Sequence, residues 1–334
     1  MTFLDARVPH VTTAGRPAPT RATHPSSNHR PALYAAVPSA YNPVMVQIGD
    51  WQIRSVINGY VRLDGGAMFG VVPKVLWARS QDVDDQNRIL LATRTLLAIN
   101  KRAGRILLAD TGTGTKWSTE AADRYGIEFT PTAIDDALGE AGTTADDVTD
   151  VVVTHLHFDH AGGMTVWADQ PGGPTRPRFA KARHWIHARQ LAHAQNPTPR
   201  DRASFLPIDF EALIQNNLMI VVQEAAPECE IPGVRWWVAD GHTPAQLLPW
   251  FHLPQGRGGL LFVGDVIPTA DHLPLTWIMA YDLLPLTTLD ERRKVLSWCR
   301  DDDLLIAFPH DRTRGIVSVT QDDRGRPRVD RVLG

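Results

Sequence analysis

The run Thr154-His155-Leu156-His157-Phe158-Asp159-His160-Ala161-Gly162-Gly163 constrains this chain more than any other stretch. Three histidines and an aspartate fall within six residues, directly after the apolar run Val151-Val152-Val153. Such a run, bounded by polar residues, reads as a buried strand. Alternate residues of an extended segment point the same way, so His155 and His157 can face one ion. Asp159 and His160 follow where the chain must turn, and can address a second ion nearby. Gly162 and Gly163 supply the backbone freedom for a tight exit. A single histidine is usually packed or exposed. A cluster with this spacing behind a hydrophobic strand is different, because burying it without a cation would strand several polar groups. Imidazole with carboxylate suits zinc, iron or manganese, and two such ions a few ångströms apart can hold both ends of a hydrolytic displacement.

The pattern His-x-His-x-Asp-His over residues 155–160 resembles the signature of the metallo-β-lactamase superfamily, and with Thr154, Gly162 and Gly163 it resembles the hydrolase form. The resemblance implies further ligands in a fixed order downstream. A Gly-His pair stands at Gly241-His242, after the apolar residues 234–238. A strand ending in Gly-Asp is expected next, and residues 259–265 end in Gly264-Asp265. A last histidine is expected near the C-terminus, and His310 closes the run Leu304-Leu305-Ile306-Ala307-Phe308-Pro309. All seven positions are filled, and the match runs from about residue 46 onward.

What the resemblance implies is specific. The fold class is α+β, a four-layer αββα sandwich. His155, His157 and His242 hold a first ion, Asp159, His160 and His310 a second, and Asp265 bridges them. The cofactors are two divalent ions, zinc first, with iron, manganese or cobalt as substitutes. A bridging hydroxide is the nucleophile, Asp159 handles its proton, and Asp110 at a strand end supports the ligands without being one.

Composition sets outer bounds. The 334 residues are 43% hydrophobic and 21% charged, ordinary for a globular chain. The ligand set extends from residue 155 to residue 310, so one catalytic unit must contain that span. A net charge of −3 and no long Lys/Arg run argue against a nucleic-acid partner. Cys229 and Cys299 are too few for a disulfide framework or thiolate metal site, which favours a reducing, cytoplasmic setting. No run of about 18 apolar residues suggests a membrane span.

Residues 1–45 are rich in Pro, Thr, Ala, Ser and Arg, with Asp5 the single acid. They read as a disordered or loosely attached extension, or as an arm crossing to a partner subunit, without the apolar core of a secretory signal. Residues 46–334 read as the catalytic domain. Strands are expected at 46–50 and 51–56, 88–100 and 105–110, 148–154, 218–223, 234–239, 247–253, 316–319 and 327–332, with a turn at 255–258. Helices are expected at 117–125, 132–142 and 290–299, the second opened by a Thr132/Asp135 capping pair. Residues 183–194 read as a short strand running into a helix, with His184, His187 and His193 as partly exposed helix residues. Residues 63–74, with their glycines, read as an exposed loop that either covers a pocket or packs on the core.

That loop also resembles the Asp-Gly-Gly-x-Met-Phe-Gly segment of the lactonase and methyl parathion hydrolase-like branch. The branch implies a lactonase that opens lactone esters, N-acyl homoserine lactones included, and so quenches quorum signals. A phosphotriesterase acting on aryl organophosphates is the alternative, and a non-catalytic relative of the fold a third reading. Small-molecule substrates and a homodimer are the implied partners. Many lactonases carry a Tyr three residues after the bridging Asp, where this chain has Pro268; His272 or Tyr281 is available to replace it. Met68, Phe69, Ile267 and Trp277 complete the expected substrate pocket.

Overall fold

The computed structural model describes residues 45–223, 229–253, 256 and 258–334. In chain order the strands are β1 (Val46–Ile48), β2 (Trp51–Asp64), β3 (Arg88–Asn100), β4 (Arg105–Ala109), β5 (Glu128–Phe129) and β6 (Asp150–Val152). They continue with β7 (Thr165–Trp167), β8 (Thr175–Pro177), β9 (Arg183–His187), β10 (Met219–Val222), β11 (Val234–Ala239) and β12 (Gln246–Phe251). The last are β13 (Leu260–Phe262), β14 (Leu305–Ala307), β15 (Ile316–Gln321) and β16 (Pro327–Val332). Helices are α1 (Gly65–Phe69), α2 (Lys74–Trp77), α3 (Thr119–Arg124), α4 (Ala133–Glu140), α5 (Phe158–Ala161), α6 (Ala188–Gln195), α7 (Glu211–Gln215) and α8 (Pro285–Asp301).

One sheet runs β1-β2-β3-β4-β6-β9-β10 with β5 on β2, the other β11-β12-β13-β14-β15-β16, and β7-β8 form a small hairpin. Strands β1 to β4 pair antiparallel, whereas β4, β6, β9 and β10 are parallel, as are β13 and β14. Side-chain alternation decides the layers. Leu96, Ala98, Leu107, Ala109 and Val152 of the first sheet meet Leu247, Phe251, Leu260, Phe262 and Ala307 of the second in a shared core. Their neighbours Leu97, Leu108 and Val151 point outward and pack under Ile134 and Leu138 of α4 and Leu213 of α7. On the far side Leu248, Leu261 and Ile306 pack under Val295 and Cys299 of α8. The result is the αββα sandwich.

The strand pattern matches the sequence reading closely, and three local expectations are corrected. Residues 63–74 are a loop only over 70–73: the Asp64 carboxylate accepts from the Ala67 N–H at 2.8 Å and starts α1. Gly70 then turns at φ 57°, where a Cβ would sit 2.4 Å from the Ile278 carbonyl oxygen, so the glycine serves close packing. Thr132 does not cap α4; its hydroxyl donates to Asp136 instead. His184 and His187 are fully buried strand residues of β9 rather than partly exposed helix residues, and His187 Nδ1 caps α6 by accepting from the Arg189 N–H. Residues 1–44 of the expected extension, and residues 255 and 257 of the expected 255–258 turn, lie outside the described residues. Residues Pro43–Gly334 form one unit. No helix among the described residues is long and apolar enough to cross a membrane.

Candidate metal centre

Parallel pairing delivers the functional loops. Asp110 follows β4, the 154–160 run follows β6, Asp265 follows β13, and His310 follows β14. His242 comes from the β11–β12 connection, and the Leu247 N–H donates to the Thr154 carbonyl at 2.8 Å, joining the two sheets there. All seven sequence-derived ligand candidates come together, each buried or nearly so.

They group as His155, His157 and His242; His155, His160 and Asp265; and Asp159, His160 and His310. His157 Nδ1 lies 3.0 Å from His155 Nε2 and 3.1 Å from His242 Nε2, and His310 Nε2 lies 3.1 Å from His160 Nε2. Asp265 stands between these groups. Its Oδ2 is 3.3 Å from His242 Nε2, and its Oδ1 is 3.2 Å from His310 Nε2 and 3.5 Å from His160 Nε2. Asp159 Oδ2 is 3.6 Å from His310 Nε2.

The outward ring nitrogens of His155, His160, His242 and His310 are already committed, whereas His157 Nε2 is buried with no hydrogen-bond partner among the described residues. His160 Nδ1–H donates to Asp110 at 2.7 Å, His242 Nδ1–H to Asp282 at 2.9 Å, and His310 Nδ1–H to the Ala92 carbonyl at 2.8 Å. Thr154 donates its hydroxyl to Asp110 at 2.9 Å, which leaves its oxygen to accept from His155 Nδ1–H at 3.0 Å. In the neutral rings of these four histidines the inner nitrogens therefore carry lone pairs. Lone pairs meeting at about 3 Å suit a cation, since zinc–nitrogen bonds of about 2.0–2.1 Å in a tetrahedron set donors roughly 3.3 Å apart. Buried Asp265 Oδ1 also has no hydrogen-bond partner among the described residues. The residues fit a divalent metal.

The electrostatics agree. Burial disfavours charge on every one of these histidines. At His155 it prevails, helped by repulsion from His160 and His157, and at His157 likewise, helped by His242 and His160; both are held well below the usual histidine range. At His160 burial is outweighed by Asp265, Asp110 and Asp159, which raise its pKa well above that range. His242 is raised against burial by Asp265 and Asp282, and His310 by Asp265. Asp265 is held well below the carboxylate range, despite burial, by His310, His160 and His242. A strongly anionic carboxylate among neutral or proton-competing imidazoles is a cation's donor set.

A cavity of about 460 Å³ opens onto this cluster, with His157, Asp159, His242, Asp265 and His310 among its lining residues. Leu63, Met68, Leu91, Phe158 and Met279 make much of the remainder apolar, and Tyr125, Tyr281 and Arg200 add polar groups. Of the substrate residues expected from sequence, Met68 and Tyr281 line this cavity. Phe69, Ile267, His272 and Trp277 do not. His272 is fully buried, accepting from the Thr269 hydroxyl at 2.7 Å and donating to the Met68 carbonyl at 2.9 Å, with its ring stacked on Phe69. Burial and Arg292 push it down to about 3, so it stays neutral and braces the wall from behind. Pro268 contributes its carbonyl, which accepts from the His310 N–H at 3.0 Å. Asp282, Arg292, Tyr125 and Arg200 were not anticipated as site residues, because no local spacing ties them to the histidine run.

The metallo-beta-lactamase superfamily model matches residues 95–312. Among solved structures, the chain is similar to a probable metal-dependent hydrolase from Staphylococcus aureus, at 26% identity and a TM-score of 0.76, covering 86% of this chain and 98% of that one. It is also similar to AidC, described as a dizinc quorum-quenching lactonase in complex with an acyl-homoserine product, at 17% identity and a TM-score of 0.67, covering 86% and 96%. A hydrolase named AbOPH, described as in the beta lactamase superfamily, gives the same identity, TM-score and coverage. Matched family, shared fold and clustered His/Asp donors support a metal-dependent hydrolase. This chain belongs to the metallo-beta-lactamase superfamily.

Proposed function

We propose that this protein is a dinuclear metallohydrolase that opens lactone esters, N-acyl homoserine lactones among them, with zinc as the preferred metal. The observation that carries the reading is Asp265, whose two oxygens approach different histidine groups at the edge of a largely apolar cavity. When bound, the ions supply Lewis acidity and a water of pKa about 7. The chain supplies the rest. His155, His157 and His242 are the residues to hold one ion, Asp159, His160 and His310 the other, with Asp265 shared. Asp159 reaches the cavity and can hold the attacking water's proton for transfer to the leaving oxygen. Tyr281, which lines the same cavity, keeps its hydroxyl proton because burial and the nearby Asp64 and Asp159 carboxylates raise its pKa. That hydroxyl is available to donate to the substrate's carbonyl oxygen. Leu63, Met68, Leu91 and Met279 suit an acyl chain. The likeness to AidC, described with an acyl-homoserine product, supports the same class.

Aryl phosphotriesters are the second reading, favoured by the rings of Phe158, Tyr125 and Tyr281 on the wall, which suit an aromatic leaving group. Values of kcat/KM on homoserine lactones of varied acyl length and on an aryl phosphotriester test the choice. The lactones are expected to lead; a phosphotriester turned over far faster than every lactone reverses the assignment.

A further inference from the structure

Lys116 ends the run Asp110-Thr111-Gly112-Thr113-Gly114-Thr115-Lys116, and its side chain is 2% exposed. Lysine is almost never buried without partners. Its ammonium has three donors, and three acceptors meet it: the Gly162 carbonyl, the Thr165 carbonyl at 2.9 Å and Asp209 Oδ1 at 3.0 Å. Each belongs to a different piece of the site's scaffold. Gly162 caps the C-terminal end of α5, the short helix that carries Asp159 and His160. Thr165 opens β7. Asp209 closes the turn Pro207–Asp209, a few residues beyond Ala203 and Ser204 on the cavity wall. The same run holds the helix again one step earlier, where the Thr111 N–H and hydroxyl both donate to the His160 carbonyl, at 2.8 and 3.0 Å.

None of the three Lys116 partners lines the cavity or belongs to the donor set. Burial pushes the Asp209 carboxyl up to about 6 against the pull of Lys116, so it is still anionic at pH 7 and above. Apolar residues of similar volume often replace buried ion pairs at no loss of stability. A charged pair kept between three backbone segments therefore points to placement rather than to stability alone.

We propose that Lys116 is a positioning residue, clamping the end of α5 to the cavity wall and so setting how tightly Asp159, His160 and His310 hold their ion. The proposal rests on the metal reading given above. Zinc-loaded wild type, Lys116→Met, Lys116→Arg and Asp209→Asn are challenged with graded chelator, with ions per chain measured by mass spectrometry and the fold followed by circular dichroism. Lys116→Met is expected to release one of its two ions at a chelator concentration at least tenfold below that for wild type, with the other ion unchanged. Lys116→Arg, which keeps the charge, is expected to stay within threefold of wild type. Release of both ions at wild-type concentrations overturns the clamp, as does equal weakening in the Met and Arg variants. Should Lys116→Met fail to fold, Asp209→Asn decides: a threefold or larger shift for one ion supports the clamp and an unshifted profile overturns it. Wild-type protein that holds no ion overturns the metal reading, and the clamp with it.

Discussion

Asp265 contacts one histidine group with each of its oxygens, and no other side chain in the cluster does so. Replacing it by Asn keeps the shape but removes the charge and turns one acceptor into a donor aimed at imidazole. Asp265→Asn is therefore expected to lose more than about 100-fold in turnover, since even indirect partners of metal ligands are worth roughly 10–100-fold. Its circular dichroism should match wild type, and unchanged turnover would rule out the bridging role. Asp110 is such an indirect partner, facing three donors: the Thr154 N–H, the Thr154 hydroxyl and His160 Nδ1–H. Asp110→Asn sets an amide NH₂ against them, and metal affinity should fall about 10–100-fold. The histidine pKa shifts give a pH prediction. His160, His242 and His310 are raised in the absence of a cation, so protons compete with metal for their inner nitrogens. Bound metal should fall as pH drops from about 8 to 5, with protons released on binding. Ion content that stays constant over this interval would contradict it. The seven ligand candidates were legible because each sits in a short motif at a strand end. Asp282 and Arg292 were not. Their contacts, to His242 and to the Val266 and His272 carbonyls, join residues 20 or more positions apart.

At the scale of elements, the loop after β4 and the segment after α5 meet backbone to backbone at Gly114 and Gly162. A Cβ at Gly114, where φ is 63°, would sit 2.2 Å from the Gly162 carbonyl oxygen. Gly114→Ala should thus cost about 1–3 kcal/mol in stability, read by denaturant unfolding, and should loosen metal binding with it. A variant as stable as wild type would show that this contact does not hold α5 in place. Strands were the most readable elements, since alternation in β3, β4 and β13 assigns one face to the shared core and the other to the helices. The glycine-rich 63–74 segment misled because glycine marks both loops and close packing. Here Asp64 supplies the cap, and Met68 and Phe69 the burial, that make it helical. His184 and His187 sit three apart in sequence, a helical spacing, yet strand pairing with β6 and β10 decides their conformation.

At the scale of the whole molecule, the two-sheet sandwich was legible from the order of strands and ligands, whereas the cavity was legible only in part, through Met68 and Tyr281. Its walls come from α1, the 200–204 loop and the 279–281 loop, segments whose approach depends on tertiary packing. Residues 43–334 form one unit, and the division of the chain near residue 46 remains our proposal. A chain starting at Pro43 is expected to keep its fold and its turnover on lactones; insoluble or inactive protein would place the boundary earlier. We propose that two ions, held by seven converging side chains, make this cavity a hydrolytic site. Titrating chelator-stripped protein with zinc while following lactone hydrolysis tests it most directly. Activity should start near zero and saturate at two ions per chain; full activity without zinc, or saturation at one ion, would contradict it.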